Sequence, residues 1–366
     1  MLKTIHLIAG ARPNFMKIAP LFHALTREPW AKLVLVHTGQ HYDANMSALF
    51  FADLRLPRPD HNLEVGSGSH AEQIGGIMIA YEKLCLAVRP DWVVVAGDVN
   101  STVACAMVCS KLRIPVIHLE AGLRSGDRSM PEEINRVVTD AIADVLWTPS
   151  PDGDANLLRE GVAPEKIDRV GNIMIDSFEM LRREIENDGT RAGLGLDRGG
   201  YGVVTLHRPS NVDEAETLDS LVGRLRLVAA QLPLVFAMHP RTRRRLQDFG
   251  LLSKLHDVAG ITLTEPLGYV PFMNLIRGAV LAITDSGGVQ EETTYLGIPC
   301  LTLRANTERP ITISEGSNRL IEPSDLVAAV EAVLAGHGVR GRRPERWDGR
   351  TAERCVASLK KRIGDG

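Results

Sequence analysis

The residues with the clearest chemical meaning stand where an apolar strand gives way to glycines and then to a helix. Residues 279–283 are apolar, and Ser286, Gly287 and Gly288 follow after Thr284 and Asp285. Backbone amides at such a helix start lack partners within the helix and attract an anion. Glu292 lies about one turn further on, where its carboxylate would repel phosphate but accept hydrogen bonds from sugar hydroxyls. The run predicts a seat for a nucleoside diphosphate; a plain strand, turn and helix is the structural alternative.

Two acidic residues stand at the ends of other apolar runs. Asp98 comes just after residues 92–96, and Glu120 directly follows residues 116–119. If these strands adjoin, both carboxylates reach one substrate, and repulsion with burial can raise one pKa into the range useful for proton transfer. The pair therefore indicates acid–base catalysis. Capping of the next helix is the alternative role of Asp98.

Further charged residues stand at two helix starts. Pro131 fits a first helical turn, and Glu132 and Arg136 are four residues apart on one face of that helix. Arg12 and Lys17 follow the first apolar run and are suited to contacting phosphates or carboxylates. Ordinary ion pairs are the structural alternative at both places.

Two histidines occupy equivalent positions at the ends of later strands. His207 and His239 each follow an apolar run, and His207 is suited to donating a hydrogen bond to a diphosphate leaving group. The chain has no Gly-rich dinucleotide fingerprint, Walker sequence, metal-ligand cluster or Gly-x-Ser-x-Gly elbow. These observations predict acid–base work on a nucleotide-linked substrate, with no metal and no redox cofactor.

Composition agrees with an ordinary globular enzyme. The chain has 366 residues, of which 44% are hydrophobic and 24% charged, and a formal net charge of -3. This balance argues against nucleic acid or an anionic membrane as the main partner. The five cysteines show no metal-ligand spacing, which predicts buried, reduced thiols. With no leader-like start and no long apolar run, we expect a cytoplasmic protein.

Short apolar runs alternate with amphipathic segments, which predicts βαβ units around buried parallel sheets. The expected architecture is α/β, with two Rossmann-like, doubly wound domains facing across a cleft. We place the domains at 1–172 and 173–350, with a C-terminal helix at 351–366 that packs on either, and one helix at 175–186. The predicted strands are 4–9, 33–38, 92–96, 116–119, 145–148, 168–170, 202–206, 234–237, 261–264, 280–284 and 299–302. Ligands of such sheets gather beyond the carboxyl ends of the strands.

Eight motifs occur in one order along the chain. They are GARP at 10–13, TGQH at 38–41, GD at 97–98, HLEAGLR at 118–124, PEEINR at 131–136, TLHR at 205–208, DSGGVQEE at 285–292 and TERP at 307–310. Each is weak alone, but in register the set resembles the non-hydrolysing UDP-N-acetylglucosamine 2-epimerases over nearly the full length.

The resemblance implies a GT-B-like fold, a homodimer, and interconversion of UDP-N-acetylglucosamine and UDP-N-acetylmannosamine with no added cofactor. In that family UDP is eliminated to leave 2-acetamidoglucal and is then added back. The implied catalytic residues are Asp98, Glu120, Glu132, Arg136 and His207. The implied substrate-binding residues are Arg12, Lys17, Ser286, Gly287, Gly288 and Glu292, to which the strand-end position adds His239. The implied product is activated mannosamine for surface polysaccharide.

Some residues depart from the family pattern and keep alternatives open. Asn14 stands where many members have Glu, and residues 127–131 form a shorter segment than in some bacterial members. Gln40 and His41 resemble a site where some members bind a second UDP-N-acetylglucosamine as activator, but the next two residues depart from that pattern. The alternatives are a 2-epimerase of a modified sugar such as a UDP-diacetamido uronic acid, a GT-B glycosyltransferase, a hydrolysing enzyme and a non-catalytic sensor.

Overall fold

The computed structural model describes residues 2–39, 51, 53–256, 258–338 and 341–364. The chain divides into two compact units. Unit 1 comprises Met1–Met180 with Glu345–Gly366, and unit 2 comprises Leu181–Pro344. The helix that follows residue 172 therefore lies in unit 1, where Ser177 Oγ donates to the carbonyl oxygen of Met16 at 2.5 Å.

The described part of unit 1 contains a parallel sheet of seven strands in the order β3-β2-β1-β4-β5-β6-β7. The strands are β1 Lys3–Ala9, β2 Ala31–His37, β3 His61–Asn62, β4 Trp92–Ala96, β5 Val116–Leu119, β6 Val145–Thr148 and β7 Ile167–Arg169. The helices are α1 Arg12–Leu25, α2 His70–Ala87, α3 Asn100–Leu112, α4 Pro131–Ile142, α5 Pro151–Arg159 and α6 Ile173–Met180, with a short 3₁₀ turn at Pro164–Lys166. Helices cover both faces of the sheet, and the central strands β4, β5 and β6 are almost completely buried.

The described part of unit 2 repeats this plan with six parallel strands in the order β10-β9-β8-β11-β12-β13. The strands are β8 Gly202–Thr205, β9 Leu234–Ala237, β10 Ile261–Thr264, β11 Leu281–Thr284, β12 Cys300–Thr302 and β13 Asn318–Leu320. The helices are α7 Arg182–Asn187, α8 Thr190–Gly193, α9 Pro209–Val212, α10 Ala215–Ala229, α11 Pro240–Asp248, α12 Ser253–His256, α13 Tyr269–Gly278, α14 Gly287–Leu296, α15 Ile311–Ser314 and α16 Leu326–Ala332. A 3₁₀ turn at Pro323–Asp325 and a π turn at Val333–His337 complete it.

In each sheet the strand order reverses beside the first strand, between β1 and β4 and between β8 and β11. Loops leave these neighbouring strands toward opposite faces, so a crevice opens at their carboxyl ends. The register sets Ala96 of β4 beside Leu119 of β5, and Thr284 of β11 beside Thr205 of β8. The polar residues that follow these four positions therefore share an edge within each unit.

The prediction of two doubly wound α/β units is confirmed, and every predicted strand is present within two residues. The edge strands β3 and β13 were not predicted, because they have only two and three residues and carry polar side chains. The single helix predicted at 175–186 is wrong. Leu181, with φ -102° and ψ 7°, separates α6 from α7. Because only one residue leaves the helical conformation, the spacing of apolar residues along the sequence continues across the break and does not reveal it.

The C-terminal helix, Thr351–Gly364, belongs to unit 1 and packs on α1 and α6. Asp176 of α6 accepts hydrogen bonds from the amides of Thr351 at 3.0 Å and Ala352 at 2.8 Å, which fixes the start of the helix. The expectation of buried, reduced thiols is confirmed for all five cysteines. Within the described ranges, no helix is long and apolar enough to span a bilayer.

Candidate active site

The loop after β1 is tied to the end of β4 by Asn14. Its Oδ1 accepts from the amide of Ala11 at 3.0 Å, and its Nδ2 donates to the carbonyl oxygen of Ala96 at 2.8 Å. Asn14 therefore holds together the two strand ends at the point where the strand order of unit 1 reverses. Arg12 is the first residue of α1 in this loop.

Glu120 and Lys17 form a buried ion pair at this edge. Lys17 reaches it from α1, and Glu120 stands directly after β5 with φ +73°, a left-handed conformation that a non-glycine residue rarely adopts. The amides of Glu120 and Ala121 both donate to the carbonyl oxygen of Trp147 at 3.0 Å, which holds the turn. Gly97 has φ +68°, and a Cβ there would lie 2.6 Å from Lys17 Nζ, so a larger residue would strain the backbone and displace the ammonium group.

Asp98 forms the second ion pair, with Arg136 of α4. The side chain of Asp98 is about a quarter exposed, whereas that of Arg136 is almost fully buried. Asn135 of the same helix donates to the carbonyl oxygen of Asp98 at 2.9 Å. Helix α4 thus positions both the backbone and the carboxylate of Asp98.

The start of α4 separates two adjacent glutamates. Glu133 is buried and accepts from the amides of Ser125 at 3.0 Å and Gly126 at 2.9 Å, and it pairs with Arg136 at 2.9 Å. Burial acts to raise the pKa of Glu133, but these contacts outweigh it and hold the pKa below its ordinary value. The half-buried Glu132 is not the partner of Arg136 in the ion pair, although the four-residue spacing suggested it.

A buried histidine and its aspartate partner connect the loop that carries Asp98 with the loop that carries Glu120. His118 of β5 contacts the carbonyl oxygen of Gly97 through Nε2 at 2.8 Å and Asp140 Oδ1 through Nδ1 at 2.5 Å. The other oxygen of Asp140 accepts from the amide of Gly122 at 3.1 Å. Because one histidine and one aspartate contact the loop before Asp98 and the loop after Glu120, the two loops are held in fixed relation.

In unit 2, Asp285 organises the end of β8. It is fully buried and accepts from the amides of His207 and Arg208 at 2.9 and 2.8 Å and from Asn211 Nδ2 at 3.0 Å. Burial acts to raise the pKa of Asp285, but these hydrogen bonds and His207 hold it below its ordinary value. Asp285 Oδ1 lies 2.9 Å from His207 Nδ1, so Nδ1 carries the proton and the carboxylate orients the ring.

His239 lies beside His207, with ring centroids 5.2 Å apart. Its Nδ1 accepts from the amide of Arg241 at 3.2 Å. Burial, together with the charge of His207, lowers the pKa of His239 below its ordinary value. The ring is therefore neutral at pH 7 with its proton on Nε2, which makes it a hydrogen-bond donor.

At the start of α14, where a phosphate site is predicted, atoms of the described residues pack against Gly287 but not against Gly288. A Cβ at Gly287 would lie 2.6 Å from Arg309 Nη1 and 2.8 Å from Glu308 Oε1, whereas a Cβ at Gly288 meets no described atom within 4 Å. Ser286 is the N-cap residue and is half-buried. Glu308 and Arg309 of the TERP motif thus pack behind the helix start, while the space beside Gly288 stays open.

Glu292 lies further along α14 and is buried. Burial, with a smaller contribution from the charge of Glu291, raises the pKa of Glu292 to about 8, although Tyr269 acts in the opposite direction. The carboxyl group is therefore largely protonated at pH 7.

The predicted residues gather into one cluster in each unit. Asp98, Glu120, Lys17 and Arg136 lie near one another in unit 1, and Glu132 lies in the first turn of α4, the helix that carries Arg136. His207 and His239 adjoin in unit 2, and Ser286, Gly287, Gly288 and Glu292 lie on or beside α14. The supporting residues Asn14, His118, Glu133, Asp140 and Asp285 were not assigned roles from sequence. Gln40 and His41 lie outside the described residues.

The described ranges contain no group of three or more His, Cys, Asp or Glu side chains arranged to hold a metal ion. The two doubly wound units, with polar clusters at the carboxyl ends of their strands, define an α/β protein with a GT-B-like fold. A family model described as UDP-N-acetylglucosamine 2-epimerase matches residues 23–360. The chain belongs to this family.

Individual relatives agree with this assignment. The chain is 43% identical over 365 residues to a Methanocaldococcus jannaschii protein named UDP-N-acetylglucosamine 2-epimerase, covering 97% of this chain and 98% of that one. A crystal structure of the M. jannaschii enzyme in complex with UDP-GlcNAc and UDP matches with a TM-score of 0.89 and 42% identity, over 98% of this chain and 99% of that one. A Pseudomonas aeruginosa UDP-2,3-diacetamido-2,3-dideoxy-D-glucuronate 2-epimerase is 38% identical over 318 residues, covering 86% of this chain and 87% of that one.

Proposed function

We propose that this chain interconverts UDP-N-acetylglucosamine and UDP-N-acetylmannosamine. The observation that carries the proposal is the set of two ion pairs, Asp98 with Arg136 and Glu120 with Lys17, at the ends of neighbouring strands in a member of this family. A 2-epimerase must remove a weakly acidic C2 proton and later return one to the opposite face, which requires more than one positioned acid or base.

The reaction runs by elimination and addition. A carboxylate takes the proton from C2, the electron pair of that bond forms the C1=C2 double bond, and the C1–O bond to UDP breaks, giving 2-acetamidoglucal and UDP. A UDP oxygen then bonds to C1 while C2 receives a proton on the other face. We assign the proton transfers to Asp98, Glu120 and Glu132, with Arg136 and Lys17 balancing the charges of their partners.

Unit 2 supplies the binding site for the leaving group in this proposal. The first amides of α14, at Gly287 and Gly288, and the hydroxyl of Ser286 receive the diphosphate. His239 donates to it through Nε2, and His207, whose Nδ1–H faces Asp285, donates through Nε2 as the imidazolium. Each such donor contributes on the order of 3 kcal/mol when water is excluded. Glu292 accepts hydrogen bonds from the ribose hydroxyls. Arg12 completes the basic groups near the substrate.

The proposal is tested by incubating the pure protein with UDP-N-acetylglucosamine alone in deuterated water and following the sugar by NMR. We expect deuterium at C2 and a new UDP-N-acetylmannosamine signal. An unlabelled substrate contradicts the assignment, and free N-acetylmannosamine would identify a hydrolysing enzyme instead. Turnover that requires an added acceptor would identify a glycosyltransferase.

A second candidate substrate is a UDP-diacetamido uronic acid, which the similarity to the P. aeruginosa enzyme favours. Such a sugar adds a carboxylate and a second acetamido group. The two substrates are distinguished by kcat/KM measured for each under the same conditions. A ratio that favours the uronic acid by more than about tenfold, equivalent to about 1.4 kcal/mol, reassigns the substrate and leaves the reaction type unchanged.

We further propose that the enzyme acts as a homodimer. Ile79 and Leu86 of α2 are 61% and 69% exposed, and residues seven apart lie on one face of a helix. Light scattering of the purified protein tests the dimer, and Ile79→Lys with Leu86→Lys is expected to give monomers. A wild-type monomer contradicts it.

We also propose that the enzyme is located in the cytoplasm and supplies activated mannosamine for polysaccharide. Cell fractionation tests the location, and loss of that sugar from the polysaccharide of a deletion strain tests the pathway.

A further inference from the structure

A pocket in unit 2 lies away from the residues assigned to UDP. Its volume is about 320 Å³, and four of its lining residues are Arg182, Arg198, Arg277 and Arg343. Other lining segments immediately precede β8, β11 and β12. Because these strands are parallel, their amino ends share one edge of the sheet. The arginine pocket therefore lies at the edge opposite the helix start that we assign to the diphosphate.

Four guanidinium groups contribute to the lining of the pocket. Glu186 Oε1 lies 3.0 Å from Arg277 Nη2 and 3.6 Å from Arg182 Nη1, so these two arginines have a carboxylate beside them. Arg198 is exposed and adds a further positive charge at the lining. Guanidinium groups gathered in this way attract an anion, and the concave wall reduces the screening by water.

Arg343 is held in a fixed plane. Its Nε donates to the carbonyl oxygen of Tyr295 at 2.9 Å, and its guanidinium carbon lies 4.2 Å from the centre of the Tyr295 ring. The bond through Nε satisfies a carbonyl group in the last turn of α14. The two Nη groups carry the remaining four N–H donors of the side chain, in the fork geometry that suits phosphate oxygens.

The wall of the pocket depends on Gly278, at the end of α13. A Cβ there would lie 2.5 Å from Tyr201 Oη and 2.8 Å from Arg191 Cδ. The amide of Gly199 donates to the carbonyl oxygen of Gly278 at 2.8 Å, which joins the segment before β8 to the end of α13. This hydrogen bond holds the segment that carries Arg198 against the end of the helix that carries Arg277.

We propose that the arginine pocket binds the di- or triphosphate group of a small molecule, independently of the UDP seat. The volume lies within the usual range of small-molecule sites, about 300–1,000 Å³. Several guanidinium groups around one concavity match a chain of phosphates, which carries a negative charge on each unit. A purely structural role, the capping of a helix end, explains the hydrogen bond made by Arg343 Nε. It does not explain why Arg198 also lies at the lining of the same pocket.

The test uses inorganic tripolyphosphate and isothermal titration calorimetry. Because we also propose that the UDP seat attracts phosphate, the titrations are made in a Gly288→Asp background, where the new carboxylate weakens anion binding at that seat and its Cβ has space. We expect about one tripolyphosphate per chain. Adding Arg198→Glu or Arg343→Gln should weaken the affinity at least tenfold, about the loss of one charge-assisted hydrogen bond.

The matched control is Arg226→Glu, which reverses an exposed charge on α10 and should leave the affinity unchanged. Circular dichroism checks that each variant is folded. If Arg343→Gln does not fold, the exposed Arg198 still decides the outcome. If the Gly288→Asp chain does not fold, Arg198→Glu should remove one of two equivalents from the otherwise unchanged chain. Loss of all binding in Gly288→Asp, or equal binding with and without Arg198→Glu, overturns the proposal.

Discussion

At the carboxyl edge of the unit 1 sheet each central carboxylate has its own cation, Lys17 for Glu120 and Arg136 for Asp98. At the corresponding edge of unit 2, Glu292 is buried with its pKa raised, and Asp285 is held mainly by amides and His207. The same doubly wound plan therefore carries two kinds of electrostatics. Unit 1 places its carboxylates beside cations, whereas unit 2 presents hydrogen-bond donors and one acid whose pKa is raised.

In the proposed reaction unit 1 carries out proton transfer and unit 2 binds the anion, and the strongest test of this division separates turnover from affinity. Asp98→Asn and Glu120→Gln should each lower kcat by at least about a hundredfold, the usual reach of a positioned acid or base. UDP affinity measured by calorimetry should change little. Glu82→Gln, which alters an exposed residue of α2, serves as the control. Near-normal turnover would remove these residues from the chemistry.

The complementary variant alters the helix start in unit 2. Gly288→Asp places a carboxylate beside the first amides of α14, and we expect UDP affinity to fall by about thirtyfold, roughly 2 kcal/mol of lost anion binding. Gly223→Asp on α10, where a Cβ also meets no described atom within 4 Å, is the matched control. Unchanged UDP affinity in Gly288→Asp would show that the phosphates bind elsewhere.

A smaller effect is expected from the residue that orients His207. Asp285→Asn keeps the shape of the side chain but removes its charge, so kcat should fall by about tenfold, the value of one hydrogen bond to a charged group. The pH profile of kcat should also shift if His207 acts through this contact. A fall in thermal stability with an unchanged profile would instead assign Asp285 a structural role only.

The mildest test follows the titration of Glu292. Between pH 7 and 9 a group with a pKa of about 8 passes from mostly protonated to mostly ionised. Because the ionised form accepts better from ribose hydroxyls, UDP affinity should rise severalfold over this range, at most about tenfold. The rise should be absent in Glu292→Gln. An equal rise in both proteins would place the titrating group elsewhere.

The sequence was most informative where function depends on position along a strand. Asp98 and Glu120 could be paired because apolar runs mark the ends of β4 and β5, and parallel neighbours bring those ends together. Ser286, Gly287 and Gly288 were found for the same reason, since a strand, a glycine turn and a helix are local patterns. Substrate roles for these residues rest on the family resemblance and stay predictions.

Contacts between distant segments were harder to predict. The spacing of Glu132 and Arg136 favoured their ion pair, but Glu133 takes that place because the amides of Ser125 and Gly126 draw its carboxylate inward. Lys17 meets Glu120 across a large sequence separation, which no local pattern encodes. His118 lies within an apolar strand, so the sequence pattern predicts only that it is buried. Its polar contacts with Gly97 and Asp140 are made to distant segments and cannot be predicted from its neighbours in sequence.

The left-handed backbone at Glu120 costs stability, whereas the proposed reaction needs the carboxylate of this residue. Selection for stability and selection for activity therefore act in opposite directions at this position. A glycine there would relieve the conformation, yet it would leave Lys17 buried without its partner, so neither residue is easily lost alone. A duplicate of this gene released from the need to catalyse would be expected to lose both together. The double variant Glu120→Gly with Lys17→Met should then melt at a higher temperature than the wild type while lacking turnover. A lower melting temperature would mean that the ion pair stabilises the fold by more than the backbone strain costs. Stability and activity would then favour the same residues at this position.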